Sequence, residues 1–335
     1  MPRQPAATST LSSSKVSTLP TALWALLPKT NLARPAVTCV ESGVELSHRE
    51  VQDISLSFAG RLTRDLGYAA GDKLGLVLGG NCVESVIAQL GAAAAGVTVV
   101  TAAKPEDNVL EGCRGIVVST NVLGERPPQG LLQGEKHPPI VAHDDYGVGS
   151  ASVALFWQSV VDCRPLDCSL VATDPGMPFA VYGGAKATER HATQGQICTM
   201  AKEFNLEVNF SQQERVALAV PVDSPFGFGC GVMAALSEGG TVVLPSAVPH
   251  DVRKLVSAMH EEAATALLCD TTVLSIVKAT KDDTLSLLSD TFRIGVVKIG
   301  SGRAFDLEKN KPERVLFGVP LRTIGRPLPI SNRCS

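Results

Sequence analysis

Apolar residues recur with two periods along this chain, and their alternation sets out an α/β protein. Ser47-His48-Arg49-Glu50 has the S-x-x-E spacing of a capping box, where a hydroxyl and a carboxylate each satisfy an unpaired backbone N–H. Val51, Ile54, Phe58, Leu62 and Leu66 follow at helical spacing, and Gly67 ends the run. Gly71-Asp72 reads as a turn and 74–78 as a short buried strand. A helix is predicted over 82–95, with Asn81 and Glu84 as capping residues. Gly96 stops it and Val97-Thr98-Val99-Val100 supplies the next strand. A short helix near 106–113 and a strand at 116–118 follow. The stretch 119–150, rich in Pro, Gly and polar residues, reads as a long irregular connection.

The second half repeats this grammar. Strands are predicted at 179–182, 216–220, 241–244, 266–268 and 295–299. Helices are predicted at 192–204, 226–238 and 250–262, with one or two more within 270–290. Buried strands alternating with helices imply an α/β class with mainly parallel sheets flanked by helices on both faces. The predicted organisation is a tail over 1–17, a first subdomain over 18–150 and a second over 151–330. The uncharged run 85–103 is long enough to raise the question of a membrane span. Its Ala, Gly and Thr content, with Gln89 inside it, favours a buried helix, a glycine stop and a strand.

Composition narrows the function classes. At 335 residues the chain suits two or three domains or one large α/β unit, and 44% hydrophobic content excludes global disorder. A formal charge of -3 argues against a globally basic nucleic-acid binder, and 4% aromatics against extensive base-stacking surfaces. No nucleic-acid partner and no transmembrane segment are expected. The nine cysteines are scattered without a C-x-x-C pair, the closest being Cys163 and Cys168; they read as reduced intracellular thiols. The six histidines lie far apart, so no metal site is expected. The first acidic residue is Glu41, preceded by Arg3, Lys15, Lys29, Arg34 and many Ser and Thr. That composition suits a mitochondrial transit peptide or, equally, a plain basic tail, leaving a cytoplasmic location as the alternative.

An ordered set of segments resembles the N-terminal domain of the adenylate-forming superfamily, which includes acyl-CoA synthetases, luciferases and peptide-synthetase adenylation domains. Val44 through Val51 is similar to its LTYREL segment, and Gly71 through Leu78 to GDRVALLL. Asn81 through Val100 is similar to the region that follows. Pro221 through Gly229 with Gly239 through Pro245 resembles PLFHVFGLG and its GATVVLP continuation. Gly300-Ser301-Gly302 stands where the family has GGA beside an acyl pocket, and Ile324 through Pro329 resembles VGRPLPG. The resemblance covers about 18–330 and implies that family's fold.

The family joins a carboxylate to ATP as an acyl-adenylate and passes it to a thiol. Its phosphate loop reads SGTTGxPKG, whose N–H groups and hydroxyls surround phosphate oxygens while a Lys supplies charge. Here the matching stretch is Gly183-Gly184-Ala185-Lys186-Ala187-Thr188-Glu189-Arg190. Gly184 keeps one glycine, Ala185 and Lys186 replace the hydroxyls, Glu189 replaces the proline and Arg190 takes the Lys position. Either Gly183, Gly184, Lys186, Thr188 and Arg190 form a variant nucleotide-binding loop, or the stretch is an ordinary solvated loop. Ser224 stands at the family's PLFH histidine, and Phe317 through Leu321, at the YGxTE position, has no carboxylate. The later ribose-binding Asp motif and the C-terminal lid domain have no counterpart in this sequence.

The expectation is therefore a catalytically degenerate acyl-CoA synthetase-like protein with no catalytic residues and no cofactor. It would serve as a structural or accessory subunit of a protein assembly. One alternative is an AMP-forming acyl-CoA ligase using Mg-ATP and CoA. Another is an acyl- or CoA-binding module whose pocket is formed by Phe226, Gly227, Gly300, Ser301 and Gly302.

Overall fold

A computed structural model describes residues 22–103, 108–119, 140–141, 154–155, 157, 160, 163–184, 187–246, 251–279, 292–298, 315–316 and 319–324. It opens with a hairpin of β1 (Pro35–Cys39) and β2 (Val44–Ser47), leading into α1 (His48–Gly60). The capping box forms as the sequence requires: Ser47 N–H donates to Glu50 Oε2 at 2.8 Å, and Glu50 N–H donates to Ser47 Oγ at 3.2 Å. The helix then loosens into a π-helical turn over Arg61–Asp65.

Strands β3 (Lys73–Val77), β4 (Thr98–Thr101), β5 (Gly115–Val118), β6 (Ile140–Val141), β7 (Ala154–Leu155), β8 (Pro178–Gly184) and β9 (Ala187–Thr193) form one sheet, in the order β7-β6-β5-β3-β4-β8-β9. The second sheet takes β10 (Arg215–Ala219), β11 (Thr241–Leu244), β12 (Ala266–Asp270), β13 (Ile294–Lys298), β14 (Val315–Leu316) and β15 (Val319–Ile324). Its order is β14-β15-β13-β12-β10-β11-β1-β2, so the N-terminal hairpin crosses to the later strands. Pairing is parallel except in β1–β2, β8–β9 and β14–β15. The mainly parallel, two-sheet α/β class expected from the sequence is observed. Sheet membership does not follow a line at 150, since β7, β8 and β9 pair with the earlier strands.

Further helices among the described residues are α2 (Val83–Ala95), α3 (Gln194–Val208), α4 (Ala234–Ser237), α5 (Val252–Glu261) and α6 (Thr271–Ala279). A π-helical segment, Phe226–Met233, runs directly into α4. Every residue of α2 from Val83 to Ala94 is buried, which accounts for its scarcity of charge. Gly96 ends α2 at φ +70°, a left-handed position that a side chain would strain. No helix among the described residues is long and apolar enough to cross a membrane.

The main core draws on both sheets, with Phe58, Leu76 and Ile87 joined to Phe179, Leu218, Phe228 and Val242. Phe179 of β8 stacks on Phe228 with ring centroids 5.1 Å apart. Two expectations need correction. The N-cap of α2 is Cys82, with no side-chain cap bond; Asn81 turns away to the other sheet, and Glu84 accepts a bond from Trp157 Nε1 at 2.8 Å. The Asn81 amide is taken instead by buried backbone groups of the neighbouring sheet. Around 106–113 the described residues hold a 3₁₀ turn, Asn108–Leu110, rather than a helix.

Candidate functional site at the ends of β8 and β10

Strand β8 is covered on both faces, with Phe179, Ala180, Val181 and Tyr182 all buried. Beyond Tyr182 the strand stays paired as far as Gly184. Gly184 pairs with Ala187, Tyr182 with Arg190 and Val181 with His191, so β8 and β9 form a hairpin joined through 185 and 186. Of the expected nucleotide-binding residues, Gly183 and Gly184 therefore lie in β8, and Thr188 and Arg190 in β9. Lys186 lies outside the described residues. Gly183 is explained by packing: a Cβ there would come within 2.7 Å of Val109 Cγ2.

The second wall is the turn after β10. Asn81 holds it, donating through Nδ2 to the carbonyls of Leu218 at 3.1 Å and Val220 at 2.9 Å, and accepting from Val222 N–H at 2.8 Å. Ser224, at the family's histidine position, has its hydroxyl engaged by backbone: it donates to the Pro221 carbonyl at 2.6 Å and accepts from Gly227 N–H at 3.0 Å. Phe226 is buried and meets Phe204 edge-on at 6.5 Å. Gly227 sits against the same turn, with no room for a Cβ beside the Pro221 carbonyl. Gly300, Ser301 and Gly302 lie outside the described residues.

Between these walls are two groups that sequence reasoning did not single out. The Tyr182 hydroxyl is buried and has no hydrogen-bond partner. Asp223 is half-buried; loss of hydration around its carboxyl pushes its pKa up from the usual carboxylate range, and a hydrogen bond from its own backbone opposes that. Burial likewise raises the Tyr182 phenol, and the neighbouring Asp223 charge adds to that rise. Gln89 adds a second unmet group: its Oε1 is buried without a partner while its Nε2 donates to Ser85 O at 3.2 Å and Val222 O at 3.4 Å. The one sequence signal was an acidic residue inside the apolar Pro221-Val222-Asp223-Ser224 turn. Chemically, a buried phenol offers a ligand a hydrogen bond unweakened by water. Tyr182 and Asp223 lie at the C-terminal ends of parallel strands, where open α/β sheets bind ligands. Among the described residues no group of three or more His, Cys, Asp or Glu is placed to hold a metal ion.

Residues 27–104 match the family described as AMP-binding enzyme. No curated protein matches the chain in sequence. Its fold is shared with the anthranilate CoA ligase AuaEII, solved with anthranoyl-AMP: TM-score 0.73, 17% identity, covering 89% of this chain and 57% of that one. A benzoate CoA ligase from Burkholderia xenovorans LB400 is similar with TM-score 0.73 at 19% identity, covering 90% of this chain and 59% of that one. The N-terminal domain of FACL13 from Mycobacterium tuberculosis is similar with TM-score 0.65 at 16% identity, covering 87% of this chain and 71% of that one. The fold is thus that of the N-terminal domain of adenylate-forming acyl- and aryl-CoA ligases, as the ordered motifs implied. The chain spans 57% and 59% of the two CoA ligases, and identities this low carry the fold and not the activity.

Proposed function

We propose that this is a catalytically degenerate acyl-CoA synthetase-like protein that works by binding, as an accessory subunit of a protein assembly. The observation that carries this reading is the β8–β9 hairpin. A triphosphate is held by several unpaired N–H groups, hydroxyls and a cation. Here strand pairing runs up to Gly184 and Ala187, leaving 185 and 186 as the connection, and Ala185 and Ala187 bring no hydroxyl. Ser224 supports the same reading, because its hydroxyl is already bonded to the turn. With phosphate handling gone, the fold still supplies a rigid two-sheet scaffold. The acid-free segment before Glu41 supports a mitochondrial setting, which imaging of the tagged full chain tests.

The deciding experiment is calorimetric titration of purified protein with Mg-ATP, with thermal unfolding followed in parallel. A ligand at about 100 times its Kd stabilises a fold by about 2.7 kcal/mol. No heat and no shift are expected. Binding that Arg190→Ala abolishes overturns the proposal in favour of an AMP-forming ligase, and carboxylate-dependent pyrophosphate exchange then reads the activity directly. Native size in cell extract tests the accessory role: migration in a larger assembly is expected, and a stable free monomer contradicts it.

A second reading, a small-molecule binding module, is favoured by one observation. The buried, unpartnered Tyr182 hydroxyl is what a hydrogen-bonding ligand would complete. Acyl-CoA and free carboxylates titrated against wild type and Tyr182→Phe distinguish it from the first reading.

A further inference from the structure

We draw no further inference here: the strongest candidate, the half-open depression between the Leu23–Leu26 turn, α1 and the turn at Cys168–Leu170, has a lining of mixed polarity, and nothing in the structure shows what covers it.

Discussion

Asn81 Oδ1 accepts a hydrogen bond from the Val222 N–H at 2.8 Å, joining residues 141 positions apart in sequence. The same side chain donates to Leu218 and Val220, so one buried amide satisfies three backbone groups where the second sheet leaves β10. Removing it strands those groups away from water, each at a cost near that of an unmade bond. Asn81→Ala should lose about 2–4 kcal/mol in urea unfolding. Asn81→Asp should not recover it at neutral pH, because a carboxylate would then face two carbonyls. Full stability in Asn81→Asp would show that shape, not bonding, fixes this turn.

His48 predicts a pH dependence. Its ring is buried beneath the start of β11, and burial lowers its pKa below the ordinary 6.5; the Gly239 and Gly240 carbonyls oppose that and Arg34 adds to it. The folded state therefore binds fewer protons than the unfolded chain, so stability rises with pH across this window. The contribution is complete above about 6.5 and is lost as pH falls through the folded value. Unfolding midpoints for wild type and His48→Gln, taken from pH 7.5 down to 5, should converge at the acid end. Parallel curves would mean that His48 is not protonated on unfolding in that range.

Much of the fold was legible because its signals are local. The Ser47 and Glu50 capping box, the Gly96 stop and the β-branched run after it depend on neighbours within a few residues, and all three form. Asn81 was misread for the converse reason: its partners come from strands more than 130 residues away, and nothing near it in sequence announces them. The phosphate-loop region was legible in its chemistry but not in its shape. Substituted glycines and hydroxyls were visible, whereas the pairing of Gly184 with Ala187 is a property of the hairpin. The charge of Asp223 reaches Tyr182 only through the fold, so no spacing could have joined them.

The glycines after the β10 turn also separate by structure. A Cβ on Gly227 would lie 2.0 Å from the Pro221 carbonyl oxygen and 2.7 Å from its carbon, and that backbone is held by Asn81 and Ser224. On Gly229 the nearest atom would be Met200 Cε at 2.8 Å, the free end of a flexible side chain. Gly227→Ala should therefore cost about 2–3 kcal/mol or more. Gly229→Ala should be close to neutral, since helix propensity returns about 0.5–1 kcal/mol against the repacking. Melting curves of the two variants check this, and equal losses would mean that the helix, not the turn, is the rigid partner.

Asp223 and Tyr182 give the prediction that bears most directly on the strand-end site. A carboxyl whose folded pKa is raised by lost hydration favours the folded state most when it is protonated. Its contribution is whole below the unfolded value near 3.9 and is lost as pH rises through the folded one. At pH 7 the charged form is therefore a burden, and Asp223→Asn should raise the melting midpoint. That advantage should fade as pH falls toward 4, where the wild-type carboxyl is neutral in both states. Tyr182→Phe removes a buried hydroxyl that has no partner, and should be neutral or stabilising. The double variant should depart from the sum of the singles, because the two groups act on each other through a shielded medium. An Asp223→Asn variant that is destabilised equally at every pH would mean that the carboxylate is already satisfied by the protein, and the site would then have nothing left to offer a ligand.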